Sequence, residues 1–590
     1  MATEIRRRAQ PSGLEPMGDL HPVLKRVYGG RGICRAEDLD LSLERLLPVS
    51  TLEGVERAAE ILAAHRESGR VLVVGDFDAD GATGSALLVR AMRSLGFAHV
   101  DFLVPNRFQF GYGLTPGIVA LAAQRRPSLI VTVDNGVSSI EGVEAAHVLG
   151  IPVLITDHHL PGAALPSADA IVNPNLAGSR FASPALSGVG VAFYVVAALA
   201  RAVRQPAFRP ADLLDLVALG TVADLVPLDR NNRVLVAQGL RRIRAGRCVP
   251  GIRALLELAG RRLDRLTAAD LGFVVAPRLN AAGRLSDMSV GIACLLTDDE
   301  VRARALAAEL TRLNEERREI EQRMQAEATE LAASVRFAES GDETLGLCLF
   351  DDSWHQGVVG LVAGRVKDRF HRPVVAFARA EDGSLRGSAR SVAGIHIRDV
   401  LDAIAARHPG LIEKFGGHAM AAGMTLPASS LDGFRRAFAE EIAARADADT
   451  LAGVILSDGE LSNTELSLET AHVLRGAGPW GQGFAEPLFD GRFKIADLRV
   501  VGGRHLKLRL RGAALAAPGF GAGSAAGNSA GSAVGSGASL DAIAFGYVGG
   551  ASEDPALEAG VTVDLAYRLE VNEYNGAEQL QLNCQHFKIC

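Results

Sequence analysis

Val71-Leu72-Val73-Val74-Gly75-Asp76-Phe77-Asp78-Ala79-Asp80-Gly81 decides how the first half of this 590-residue chain is read. Four aliphatic residues end at a glycine, and three carboxylates follow at alternate positions. Comparable apolar runs recur at 99–105 (HVDFLVP), 128–133 (SLIVTV) and 151–156 (IPVLIT). Runs of that length are the mark of strands buried on both faces. Helical patterns near 84–95, 115–125 and 138–149 fill the intervals. Strand and helix in alternation predict a parallel βαβ sheet, so the fold class is α/β.

Beyond that sheet, helices are expected from about 188 to 223. A basic stretch follows, with eight arginines against Glu257 and Asp264 between Leu240 and Arg265. From 298 to 333 a seam of Leu306, Leu310, Leu313, Ile320, Met324 and Leu331, broken by Arg317, predicts one long bridging helix. At 1.5 Å per residue it spans about 54 Å, enough to join two domains. A smaller α/β pattern runs from 345 to about 447, and short strands from about 456 predict a terminal β-barrel. Residues 478–489, with Trp480 and Phe484, lead into it. Arg504, His505, Lys507 and Arg509 alternate with Leu506, Leu508 and Leu510. That alternation reads either as a nucleic-acid groove or as a plain amphipathic strand. Of the 28 residues 512–539, 23 are Gly, Ala or Ser and none is charged. They cannot pack a core and predict a disordered loop between two strands.

Composition narrows the function. Sixty-two basic and 69 acidic residues leave a formal charge of −7, so nucleic acid is not held by bulk charge and a polyanion needs a local basic groove. The six cysteines form no CxxC pair, which excludes a zinc ribbon, argues against a disulfide scaffold and predicts a reducing, cytoplasmic setting. The N-terminus lacks an apolar signal region, and the near-apolar run 188–200 is too short to span a bilayer, so no membrane association is expected.

Chemistry concentrates at strand ends. Asp76, Asp78 and Asp80 repel one another unless a cation sits between them. An EF-hand is excluded, because Leu87 stands where its bidentate glutamate belongs and a strand precedes the loop. On this stretch alone, an acidic surface loop remains the alternative. The repetition weighs against it: Asp134 follows the third run, Asp157-His158-His159 the fourth, and Asp224 ends a helical stretch. In an open parallel sheet the strands' carboxyl ends share one edge, where ligands bind. Aspartate and histidine donors suit Mn²⁺ or Mg²⁺, and a paired site would hold an attacking water beside a phosphate.

These motifs together resemble the DHH phosphoesterase superfamily. Gly416-Gly417-His418-Ala419-Met420-Ala421-Ala422-Gly423 is similar to the glycine-rich motif of the DHH-associated domain. Pro277-Arg278-Leu279-Asn280-Ala281-Ala282-Gly283-Arg284, Ser353-Trp354-His355-Gln356-Gly357 and Gly387-Ser388-Ala389-Arg390 resemble motifs of the superfamily's single-strand-specific exonucleases. The resemblance runs from about residue 20 to the C-terminus, and the Gly/Ala/Ser insert is its clear departure. It implies an N-terminal segment (1–48), a DHH catalytic domain (49–235), a helical connector with the long helix (236–340), a DHH-associated domain (341–455) and an oligonucleotide-binding barrel (456–590).

It also implies roles. Asp76, Asp78, Asp80, Asp134, His158 and Asp224 match the superfamily's ligands for two divalent ions, with Asp134 as the bridge, while His159 faces the scissile phosphate. Arg107, Arg278, Asn280, Arg284, His355, Ser388, Arg390 and His418 match its DNA and 5′-phosphate contacts. Read singly, an arginine is more often a surface ion pair and a glycine-flanked histidine a satisfied core group. The expected activity is metal-dependent 5′→3′ exonuclease action on single-stranded DNA, releasing 5′-mononucleotides in repair and recombination, with a single-strand-binding protein and a DNA helicase as partners. The alternatives are a phosphoesterase for short oligonucleotides or cyclic dinucleotides, which has neither terminal barrel nor long helix, and a non-catalytic single-strand binder, which loses metal ligands.

Overall fold

A computed structural model of the chain describes residues 4–11, 17–106, 110, 112–338, 345–446, 453–512, 539–547, 557–574 and 576–590, with the backbone alone of 333–338 and 574. Two compact units emerge. The first comprises Arg35–Arg317 with Gly478–Glu486, and the second Met1–Cys34, Arg318–Ala477 and Pro487–Cys590.

The first unit is built on a five-stranded sheet. Its order is His99–Leu103, Arg70–Gly75, Leu129–Val133, Val153–Thr156, Ala170–Val172, with every ladder parallel. Residues 71–75 and 129–133 are wholly buried, as their uninterrupted apolar runs require. Helices Ala79–Ser94, Gly188–Val203 and Leu214–Ala223 pack against one another. Pro116–Ala123 and Ile140–Val148 share a separate core with Leu72, Val74 and Ile130. The second strand lies on one side of the first and the third on the other. The switch point of the sheet therefore falls between Arg70–Gly75 and Leu129–Val133, where such folds hold ligands.

One local reading changes. The first helix begins at Ala79, not near 84, so the carboxylate stretch is a helix start. Asp78 is its N-cap, accepting from Asp80 N at 2.9 Å and Gly81 N at 3.0 Å. Among the described residues no helix is long and apolar enough to cross a membrane. The cysteines are unpaired.

In the second unit a mixed sheet runs in the order Lys414–Gly417, Ala421–Leu426, Leu385–Arg390, Val374–Arg379, Leu347–Phe350. Phe377, Phe434 and Phe438 fill its core. Strands Phe489–Val501, His505–Gly512, Leu540–Ala544, Ala577–Ile589 and Thr562–Tyr574 close a barrel in that order. The Gly/Ala/Ser insert lies, but for its two ends, outside the described residues. Strand Glu4–Arg7 pairs in parallel with Val454–Ser457.

The long helix is Glu300–Ala338. Its buried stripe overlaps the leucine seam only at Leu310 and Met324, with Leu313 buried beside it: Ala303, Ala307, Leu310, Asn314, Arg317, Glu321, Met324, Ala328 and Ala332 recur at three- and four-residue steps. Leu306, Ile320 and Leu331 are only half-buried. Arg317 therefore continues the stripe, donating to Asn314 Oδ1 at 2.7 Å.

Candidate metal centre

Three aspartates extend the sheet's ladders past the strand ends. Asp76 N donates to Val133 O at 3.2 Å, Asp134 N to Thr156 O at 3.0 Å and Asp157 N to Val172 O at 3.1 Å. Their side chains thus leave from one edge. Asp134 turns away in the left-handed region at φ 62°, a conformation aspartate tolerates better than most residues. The buried Asn135 braces this turn, donating to Val74 O at 3.1 Å and Val133 O at 2.9 Å. Asp80, on the first turn of its helix, is gripped by a second helix start. Gly188 N donates to its Oδ2 at 2.6 Å and Val189 N to its Oδ1 at 2.9 Å.

Two glycines allow this crowding. A Cβ on Gly188 would lie 2.6 Å from Asp134 Cβ, and one on Gly220 would lie 2.7 Å from Asp80 Oδ1. Asp224 ends helix Leu214–Ala223, and His158 Nε2 stands 3.0 Å from Asp134 Oδ1 and 3.4 Å from Asp224 Oδ2. His159 is held separately, with Nδ1 2.8 Å from Asp157 Oδ1. Tyr112 Oη donates to Asp134 O at 2.9 Å and lies 3.1 Å from His159 Nδ1.

Three overlapping groups have donor atoms within 4.8 Å of one another: Asp134, His158 and His159; Asp80, His158 and Asp224; Asp76, Asp78 and Asp134. Asp134 belongs to the first and third groups and His158 to the first and second. Burial, then the neighbouring Asp78, pushes the Asp80 carboxyl up to about 7. Burial followed by the surrounding carboxylates raises Asp134 and Asp224 well above the usual range. Burial is the largest single influence on His159 and opposes its charge, but the Asp157 hydrogen bond together with the charges of Asp157, Asp76 and Asp78 makes the net shift upward. Asp134 Oδ1 is buried and accepts no hydrogen bond. An excess of buried oxygen donors around an unbonded lone pair fits a hard divalent cation.

The arginine and histidine candidates divide between the units. Arg278, Asn280 and Arg284 lie on helix Ala276–Leu285 of the first. Arg278 donates to Val274 O at 2.6 Å and Thr311 Oγ1 at 3.2 Å, and Asn280 Oδ1 accepts from Ala79 N at 2.8 Å. In the second unit Ser388 and Arg390 point to one face of a strand, with Arg390 Nη1 donating to Ser388 Oγ at 2.9 Å. Burial lowers the Arg390 pKa. His355 Nδ1 accepts from Gly357 N at 3.1 Å, and His418 N bonds Ala421 O at 2.8 Å. Arg107 lies outside the described residues.

Known families match along the chain: the DHH family N-terminal domain at residues 70–221, the DHHA1 domain at 343–444 and the RecJ OB domain at 457–586. The single-stranded-DNA-specific exonuclease RecJ of Escherichia coli is 50% identical over 594 residues, covering 98% of each chain. The chain belongs to the RecJ family. RecJ of Bacillus subtilis is 35% identical over 74% of this chain and 54% of its own. The Mn²⁺ complex of RecJ from Thermus thermophilus superposes with a TM-score of 0.80 at 30% identity, covering 99% of this chain and 79% of that one.

Within the RecJ frame, several site-building residues went unread in the sequence. Gly188 and Gly220 carry no chemistry of their own and show only as close approaches. Asn280 reads as a DNA contact, yet it spends its carbonyl oxygen on the start of the Asp80 helix. In the same motif, a Cβ on Gly283 would fall 1.8 Å from Phe77 O, so the motif packs directly on the carboxylate turn. Tyr112 stands in no apolar run and no charged motif, and only a tertiary contact reveals it.

Proposed function

We propose that this RecJ-family chain is a metal-dependent exonuclease specific for single-stranded DNA, acting 5′→3′ and releasing 5′-mononucleotides. The observation that carries the reading is the nest of Asp76, Asp78, Asp80, Asp134, His158 and Asp224 at the switch point, in a chain half identical to named single-strand-specific exonucleases over nearly its whole length. Two divalent ions, Mn²⁺ or Mg²⁺, supply a water of lowered pKa and neutralise charge on the scissile phosphate. Asp134, whose carboxylate has two oxygens to offer, is the residue we assign to both ions, and His158 would serve one of them.

The chain's own part is positional. Two backbone N–H groups fix both oxygens of Asp80. Asp157 fixes the His159 ring, which we assign to the phosphate being cut. Arg278, Arg284, Ser388 and Arg390 are our candidates for DNA phosphates, since a guanidinium matches two phosphate oxygens at once. We place the enzyme in the cytoplasm, acting on strands opened by a helicase and covered by a single-strand-binding protein.

End-labelled single- and double-stranded DNA, with the 5′ or the 3′ end blocked, tests this with and without Mn²⁺ or Mg²⁺. The expected result is metal-dependent mononucleotide release from single strands with a free 5′ end. Digestion from the 3′ end, or without metal, overturns it.

A further inference from the structure

Residues 478–486 lie in the chain between helix Leu468–Gly476 and barrel strand Phe489–Val501, yet they belong to the unit that holds the metal centre. The loop is internally stiff. Gly481 N donates to Phe484 O at 3.0 Å and Phe484 N to Gly481 O at 3.1 Å. The Trp480 ring stacks on Phe484 with centroids 5.3 Å apart and planes 12° from parallel. On the buried Phe484 ring sits the guanidinium of the buried Arg233, 4.4 Å from its centroid.

What the loop grips is the segment just past Asp224. Leu228 N donates to Gln482 O at 2.7 Å. A Cβ on Gly481 would lie 2.7 Å from Leu228 Cδ1, and one on Gly483 would lie 3.2 Å from Pro227 Cβ. Between Asp224 and this grip stands Leu225, at φ 59° and 66% exposed. A leucine in the left-handed region is strained, and an exposed one recovers nothing by burial. The turn must therefore be imposed from its two ends. Helix Leu214–Ala223 holds one end, and the contacts at Pro227 and Leu228 hold the other.

We propose that the loop 478–484 is a positioning clamp for Asp224: by holding Pro227 and Leu228 it sets the Leu225 turn and so keeps the Asp224 carboxylate beside His158. The inference rests on Asp224 being a metal ligand, as proposed above. Gly481 acts through Leu228, and Trp480 acts by stacking on Phe484 and stiffening the loop.

The test is Mn²⁺ binding to the full chain, followed by the electron paramagnetic resonance of free Mn²⁺, beside thermal melting and single-strand binding in EDTA. Asp224→Asn should weaken Mn²⁺ binding; if it does not, the ligand reading fails by itself. Trp480→Ala and Gly481→Ala should each weaken Mn²⁺ binding about tenfold, the lower end of what loss of a ligand's supporting partner costs. Binding of DNA in EDTA should be unchanged, Trp480→Phe should restore the metal, and excess Mn²⁺ should rescue nuclease rate. If Trp480→Ala does not fold, Gly481→Ala, one added carbon on an exposed residue, carries the same expectation. Wild-type Mn²⁺ affinity in the clamp variants, with Asp224→Asn weakened, overturns the clamp. Loss of DNA binding in EDTA with Mn²⁺ binding intact overturns it too and assigns the loop to the barrel.

Discussion

Asp134 combines three stresses in one residue: a left-handed backbone, full burial and the repulsion of Asp78, Asp80 and Asp224. Asparagine keeps the shape, tolerates the backbone and removes the charge. Asp134→Asn should therefore melt higher than the wild type when both are metal-free, because the cost of burying an acidic group among Asp80, Asp78 and Asp224 is removed. It should gain less from added Mn²⁺ and lose nuclease activity by orders of magnitude while still binding single strands. Paired melting curves with and without EDTA check the sign. Gly188→Ala reaches the same centre from outside, since its new carbon would collide with Asp134 Cβ rather than with a pliable side-chain tip. Overpacking of this kind costs about 1–3 kcal/mol, and denaturant unfolding should show it together with weakened Mn²⁺ binding. The acidic and histidine donors could be read from sequence because each stands at the end of an apolar run or a helix. The glycines that let them meet could not, since a missing Cβ has meaning only against a neighbour distant in the chain.

At the scale of elements, legibility followed the range of the forces. The strands near 71–75, 128–133 and 151–156 announce themselves because burial on both faces leaves an unbroken apolar run. Ala170–Val172 is three residues long and leaves no such run. In the helix Glu300–Ala338 the apolar seam marks only part of the buried face: Leu310, Leu313 and Met324 are buried, but alanines and a bonded Asn314–Arg317 pair complete the stripe. Small residues fit either surface, so their burial is settled by what approaches them. Trp480 and Phe484 read in sequence as the approach to the barrel, because proximity along the chain is the only cue before a fold exists, yet they belong to the other unit. The barrel also carries a prediction about its insert. Leu510 pairs with Leu540 in an antiparallel ladder, so a hairpin turn of about two to five residues can close it. Replacing 513–538 by such a turn should leave the melting temperature and single-strand affinity unchanged; a marked loss of affinity would give the insert a role its composition does not suggest.

At the scale of the molecule, the metal centre lies within one unit only. Calorimetry of the metal-free chain should resolve two transitions, and Mn²⁺ should raise one of them. At a hundredfold excess over its dissociation constant, Mn²⁺ adds about 2.7 kcal/mol to the unit that binds it. A single transition, raised as a whole by Mn²⁺, would mean that the units unfold as one. The chain's threading also orders its birth. Strand Glu4–Arg7 has its partner 450 positions downstream. At about 5–20 residues per second it waits about 20–90 s for Val454 to be translated. Residues 35–317, by contrast, leave the ribosome as an almost complete unit that lacks only 478–486. If that last piece sets Asp224, a nascent chain cannot hold its metals fully until translation has passed residue 486, and a truncated messenger yields a folded but poorly metallated nuclease. The order of synthesis then acts as a safety catch on a DNA-degrading enzyme.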